Sequence, residues 1–309
     1  MNPRLRLNLL LLTAVVILGA VALWAPAPSD RQQSPPPRLT PMDSEAVRHI
    51  VIRRPGLEGE LRLDKGDDRW QVTLPGRESP LPANDFKAEQ IARIAEAEVY
   101  DRFPAEEDKL AEYGLDQPRA WLRLNAVELS FGASEPLRQR RYVRLGDWIH
   151  LIDGYHLDDV AVRPADLLER ALLPGQPALQ AIRLPEFAVT QDENGDWRLQ
   201  PPREGLTADA LQSFVDAWRH ARAMELHLSD PPTDTQGEVI LTTTDGQDHR
   251  FLITQRGERK RLRLWDPQRR VEYEFAVYNS ERLLDPERHL PEEEDEPAAE
   301  RGDDSEADG

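Results

Sequence analysis

The stretch "VTQDENGDWRLQPP" (residues 189–202) decides how this chain is read. Asp192, Asn194 and Asp196 alternate as the first ligands of a calcium loop would. The sixth position of such a loop needs glycine and holds Trp197. The twelfth needs a bidentate glutamate and holds Arg203. The acids therefore read as a turn, with Asn194-Gly195 supplying the positive φ of a tight hairpin.

An earlier stretch, "LRLDKGDDRWQVTLP" (61–75), has the same make-up. Each is a short strand, a polar turn containing glycine, then tryptophan, alternating residues and proline. The likeness extends in both directions, the signature of an internal duplication. An alternating strand precedes each hairpin: "VRHIVIR" (47–53) and "LQAIRL" (179–184). A capped amphipathic helix follows each. The first starts near Asn84 and is expected to bury Phe86, Ile91, Ile94 and Ala95. The second starts at Thr207 and is expected to bury Leu211, Phe214, Val215 and Trp218.

Two more hairpins then complete each half. In the first, "AWLRLNAVELSFG" (120–132) pairs on itself and "RRYVRLGDWIHLID" (140–153) turns at Gly146-Asp147. In the second, "EVILTTTDGQDHRFLIT" (238–254) turns at Asp245-Gly246 and "RLRLWDPQRRVEYEF" (261–275) at Asp266-Pro267. Each half closes with an expected short helix, "PADLLERALLP" (164–174) and "NSERLLDP" (279–286). The first half alone carries "FPAEEDKLAEYGLDQP" (103–118), a short helix that Gly114 stops. The fold class expected is α+β: two tandem repeats, each a mostly antiparallel sheet of hairpins with helices packed on one face. Trp70 and Trp197 read as matching core anchors.

Outside the repeats, the amino terminus begins with Arg4 and Arg6 and then runs almost wholly apolar over residues 7–25. As a helix that run spans about 28 Å, close to a bilayer's hydrocarbon thickness. Trp24 suits the interface, and Pro26 and Pro28 end the helix. The expectation is a single-pass inner-membrane anchor with the bulk of the chain in the periplasm. The alternative is a signal peptide cleaved after Ala22, following the small-x-small "AVA" at 20–22. No cysteine exists, which excludes lipoprotein attachment, disulfides and cysteine-based metal sites. At the other end, residues 286–309 carry eleven acids against Arg288 and Arg301, half of the net charge of −18. That segment reads as a solvated tail. Without a basic domain, nucleic acid is not a partner.

The domain organisation expected is a cytoplasmic start (1–6), anchor (7–25), proline-rich tether (26–44), first repeat (45–175), second repeat (176–285) and acidic tail (286–309).

Catalytic signatures are missing from the sequence. None of the seven histidines forms a zincin pair, no serine sits in a nucleophile elbow, and no glycine-rich phosphate loop occurs. The closest group of candidate zinc ligands is His150, Asp153, His156 and Asp158, which reads as a strand end, a turn and a helix start. A metal hydrolase around His150 and His156 stands only as a third alternative. The expectation is a protein that is not an enzyme and needs no cofactor. One feature recurs in both halves: basic residues at one hairpin, Arg138, Arg140 and Arg141 in the first, Arg259, Lys260 and Arg261 in the second. They are the candidate ligand-binding residues for an anionic glycan or lipid, set against the plainer reading of a solvated strand face paired across the hairpin with Glu272 and Glu274 or with the acidic tail.

The phrases "WQVTLP", "EYGLDQPRAWLRL", "LSFG", "RRYVRLGDWIHLID" and "DLLERALLP" together resemble the bacterial domain-of-unknown-function family 4340. The resemblance is strongest over residues 45–175 and weaker to about 285. It implies a membrane-anchored exported protein, often encoded beside auxiliary ABC transporters of the gliding-motility type. ABC transporter components are therefore the implied partners, with an accessory role in an envelope complex. It supplies no catalytic residue. Tyr113, Gly114, Leu115 and Phe131 match its pattern and read as structural.

Overall fold

The structure, a computed structural model, describes residues 37–257 and 260–291. Two antiparallel sheets dominate. The first contains β1 (His49–Arg53), β2 (Leu61–Lys65), β3 (Trp70–Thr73), β4 (Leu81–Pro82), β5 (Asp101–Pro104), β6 (Ala120–Leu124), β7 (Val127–Ser134), β8 (Arg140–Leu145) and β9 (Trp148–Asp153). Its spatial order is β4-β3-β2-β1-β6-β7-β8-β9-β5. The second contains β10 (Leu179–Arg183), β11 (Ala188–Gln191), β12 (Trp197–Gln200), β13 (Glu225–Leu228), β14 (Glu238–Thr243), β15 (Asp248–Gln255), β16 (Arg263–Asp266) and β17 (Val271–Glu274). Its order is β12-β11-β10-β14-β15-β16-β17-β13. With the two-residue β4 set aside, the two orders coincide strand for strand. Trp70 opens β3 and Trp197 opens β12, so the two tryptophans hold equivalent places.

Four α-helices accompany the sheets: α1 (Asp85–Ala92), α2 (His156–Val160), α3 (Ala208–Arg219) and α4 (Val277–Leu284). In α1 the Asn84 side chain caps the helix by accepting from the Lys87 backbone N–H at 3.3 Å, and in α3 Thr207 Oγ1 accepts from Ala210 at 3.1 Å. Such a cap contributes about 1 kcal/mol. Helix α3 buries Leu211, Phe214, Val215 and Trp218 as expected. Helix α1 buries Ile91, and the turn after it buries Ile94 and Ala95, but Phe86 is 64% exposed. The reason is helical phase: five residues at about 100° each put Phe86 roughly 140° away from Ile91. Its ring lies under the Arg93 guanidinium instead. Both helical layers and both sheets share one contiguous core, from Leu39 to Leu283.

Residues 164–174 depart from the expected helix. Only Pro164–Leu167 winds, as a single 3-10 turn, and the chain then runs extended. Its backbone groups find partners on both sides. Asn84 N–H donates to Leu167 O and Glu169 N–H to Pro82 O. Leu172 N–H donates to Ala221 O and Ala223 N–H to Arg170 O, all at 2.8–2.9 Å. Leu167, Leu168, Leu172 and Leu173 are buried by this double pairing, so the segment gains more from strand-like bonding than a lone helix would offer.

The folded body is also longer than residues 45–285. Val99 N–H donates to Pro37 O at 2.8 Å and Leu39 N–H to Ala97 O at 2.9 Å, and Leu39 and Thr40 are buried. The end of the expected tether is thus a docked strand, matching the way 170–172 pairs with 221–223. At the other end Pro286–His289 forms a 3-10 turn, with Pro286 buried and His289 edge-on to Phe214 at 5.9 Å. Two edge strands, β5 and β13, escaped the sequence reading because each pairs with a strand distant in the sequence, β9 and β17, and no hairpin turn marks it. Among the described residues no helix is long and apolar enough to cross a membrane. The expected anchor at 7–25 lies outside them, as do residues 1–6 and most of the acidic tail.

Candidate functional site

The stretch 192–197 forms a hydrogen-bonded turn. Asp192 Oδ1 accepts from the backbone N–H of Asn194 at 2.9 Å and Asp196 at 3.0 Å, and Oδ2 accepts from Arg198 at 3.0 Å. The hydrogen bond from Arg198 comes first among the influences that hold the Asp192 carboxyl below its ordinary value. Gly195 takes φ +89°. Those carboxylate oxygens serve the loop itself.

His150, Asp153, His156 and Asp158 do not converge into a donor set. Burial pushes both imidazoles below the usual histidine value. Arg102 adds to that effect at His150, and Asp153 opposes it at His156. Asp153 instead accepts from the Tyr100 hydroxyl at 3.1 Å.

The two basic hairpins are only partly equivalent. Register pairs Tyr142 with Leu151 and Arg263 with Glu274, which aligns Arg261 with Arg140 and the buried Leu262 with Arg141. Arg140 stacks over Tyr100 at 3.6 Å. Arg141 donates to Gly132 O at 2.6 Å and to Ser134 Oγ at 2.8 Å. Arg261 donates to Glu274. Arg138 and Lys260 are exposed, and Arg259 lies outside the described residues. The five described positions do not present matching patches.

The outer faces of the sheets hold the strongest chemical contrast. On the first sheet the inserted 3-10 helix Glu107–Tyr113 packs down with Leu110, Leu115 and Ile149 buried. Phe103, Tyr113 and Tyr142 add a ring cluster with centroids 5.0–6.3 Å apart. Gly114 ends that helix at φ +63°. A Cβ on Gly132 would meet Tyr113 O at 2.3 Å, so the insertion closes on β7 only over glycine. Together with the fully buried Phe131, this gives Tyr113, Gly114 and Leu115 their structural role.

The second sheet lacks the insertion, and charged groups occupy the corresponding face. Glu274 is 1% exposed. It accepts from Arg261 Nη1 and lies 2.6 Å from Arg263 Nη2 and 3.3 Å from His227 Nε2. Burial by itself would raise its carboxyl, but the Arg261 hydrogen bond and the charges of Arg263 and Arg261 hold it below the ordinary value. Glu225 stands opposite Glu274 in register and bonds Arg163 at 3.1 Å. Glu225, His227 and Glu274 bring one donor each within 4.8 Å of one another, close enough to share a cation. However, three arginines already neutralise Glu225, Glu272 and Glu274. A divalent ion would have to displace guanidinium groups, so the donor set fits a structural ion network better than a metal centre. Sequence reading places Glu272 and Glu274 across the hairpin from the basic residues, but it missed Glu225 and His227, which β13 brings in beside them.

The chain matches the family described as "Domain of unknown function (DUF4340)" over residues 70–230, just over half its length. It belongs to the DUF4340 family. The DUF4340 span opens at Trp70 on β3 and ends beyond β13, so it takes in parts of both sheets and the extended segment between them. It starts later in the first half, and ends earlier in the second, than the full resemblance read from the sequence, which is strongest over 45–175 and weaker to about 285. No curated protein and no solved structure matches the chain.

Proposed function

We propose that the chain is a non-enzymatic, inner-membrane-anchored periplasmic accessory or interaction subunit of an ABC-type transport or envelope complex. The observation that carries this reading is the outer edge of β5. Among the described residues this strand pairs with β9 on one side and with no strand on the other. Its counterpart β13 packs against the 3-10 turn Pro164–Leu167, tied by Arg163 to Glu225. Beside β5, Trp148 is 43% exposed, with the Arg102 guanidinium 5.3 Å from its ring. An unpaired strand edge offers backbone donors and acceptors that an extended segment of another protein satisfies by adding a strand. Asp101, Arg102 and Pro104 disfavour pairing between like edges.

The expected anchor at 7–25 would hold this edge close to the bilayer, since Pro37 bonds Val99 two residues before β5. The transporter context is what the family resemblance implies. Affinity purification of the tagged full chain from native membranes tests the proposal. Recovery of transporter subunits, lost on Arg102→Glu with Trp148→Ala, is the expected result. Failure to recover any transporter component with the unaltered chain removes it.

A further inference from the structure

A cleft of about 380 Å³ lies between the start of β1, the end of β2 and the last turn of α1. Arg48, Lys65 and Arg93 line it together with Ser44 and Trp70. Glu45 and Glu89 also border it, yet no carboxylate among the described residues comes within 4.0 Å of any of the three cations. Three unpaired positive charges around one hollow repel each other, and the chain as a whole carries net charge −18. Trp70 is only 2% exposed, and its indole Nε1–H has no hydrogen-bond partner.

The second sheet serves as an internal comparison. With Trp70 and Trp197 aligned in register, His49 corresponds to Ala181, so Gln180 stands where Arg48 precedes β1. Gln191, opposite Trp197, stands where Lys65 stands opposite Trp70. Counting from the helix caps at Asn84 and Thr207, Asp216 replaces Arg93 and Gln212 replaces Glu89. Trp197 Nε1 there donates to Gln212 Oε1 at 3.0 Å. The same strand order therefore forms with no cation at any of the three positions and with its indole satisfied. Lys65 over the Trp70 ring and Arg93 over that of Phe86 make ring contacts only, and no carboxylate among the described residues balances the three charges.

We propose that this cleft binds a phosphate group, held by Arg48, Lys65 and Arg93 beside Trp70. Guanidinium forks and an ammonium suit a tetrahedral anion with several acceptor oxygens. The phosphate belongs either to a lipid headgroup or to a soluble phosphoester. This site is separate from the β5 edge and does not depend on the docking proposed there.

The full-length chain in nonionic detergent is titrated calorimetrically with glycerol phosphate and with short-chain phosphatidylglycerol. Binding of at least one probe is expected, weakened about tenfold or more by Arg48→Gln/Lys65→Gln/Arg93→Gln. Binding of the lipid alone identifies a headgroup site, and binding of both a general phosphoester site. Arg93→Asp, which copies the residue of the second unit at an exposed helix position, provides a second variant and also weakens binding. Arg138→Gln/Lys260→Gln at the hairpins leaves it unchanged. Failure of both probes to bind overturns the proposal, as does equal binding by the wild type and the folded cleft variants.

Discussion

Glu274 on β17 and Leu151 on β9 occupy one place in a strand order that the chain uses twice. Leu151 faces Tyr142 and Asp101 across its two neighbours, and Glu274 faces Arg263 and Glu225. One scaffold thus supports an apolar outer face in one half and an ionic one in the other. The difference follows from the insertion at 103–118, which covers the first face and has no counterpart over the second.

Replacing Glu274 by Gln should destabilise the fold by about 1–3 kcal/mol, because Arg261, Arg263 and His227 lose a buried charged acceptor. Both arginines are partly exposed, and water limits the loss. Denaturant unfolding of the variant against the wild type measures the difference.

Copying the first half into the second gives a different result. Glu274→Leu alone should cost more than Glu274→Leu with Arg263→Tyr, since the pair recreates Leu151 and Tyr142. An ion pair replaced as a unit by apolar groups is often neutral, whereas a broken one is not. A double-mutant cycle with no coupling between the two sites would contradict this.

Acid should weaken the protein in two stages. His150 and His156 have folded values below the ordinary histidine value of about 6.5. The unfolded chain then binds protons more readily than the fold, so stability falls as pH drops through about 6.5 towards the depressed folded values. Glu274 is lowered as well. Its contribution is complete above the ordinary glutamate value of about 4.3 and is lost as pH drops through the depressed folded one. Melting temperature against pH should show both declines, and Glu274→Gln should reduce the second, to which Asp192, also lowered, still contributes.

Gly132→Ala should be among the costliest single substitutions. A methyl group there meets Tyr113 O at 2.3 Å and Leu115 Cγ at 2.9 Å, so the insertion must lift from β7. About 2–4 kcal/mol is expected, as for overpacking against backbone. Faster amide exchange in 107–115 would locate the damage.

Asp192→Ala should loosen one hairpin by about 1 kcal/mol through loss of two backbone bonds and the Arg198 contact. Calcium should not change the melting temperature of either form. A calcium-dependent rise in the wild type alone would restore the loop reading.

Much of the architecture was legible because hairpins announce themselves locally. Asn125, Gly146, Gly195 and Gly246 take positive φ at four of the expected turns. The apolar face of α3 follows directly from its 3.6-residue period. Residues 164–174 misled because Leu167, Leu168, Leu172 and Leu173 imitate a helical stripe while being buried between two neighbouring strands. The ionic face was legible only in part: Glu272 and Glu274 stand across the hairpin from the basic residues, but His227 lies 47 residues before Glu274, and nothing local joins it to them. Arg48, Lys65 and Arg93 belong to three separate elements, and only the comparison with Gln180, Gln191 and Asp216 sets them apart.

Residues 167–173 serve as the closing piece of one half and the opening piece of the other, bonding to Pro82 and Asn84 on one flank and to Ala221 and Ala223 on the other. The chain therefore has no neutral place to be cut. A fragment ending before this segment bares one raw margin, and a fragment starting after it bares another. The two halves should melt as a single cooperative body, and a protease should find no midpoint at which to release a surviving half.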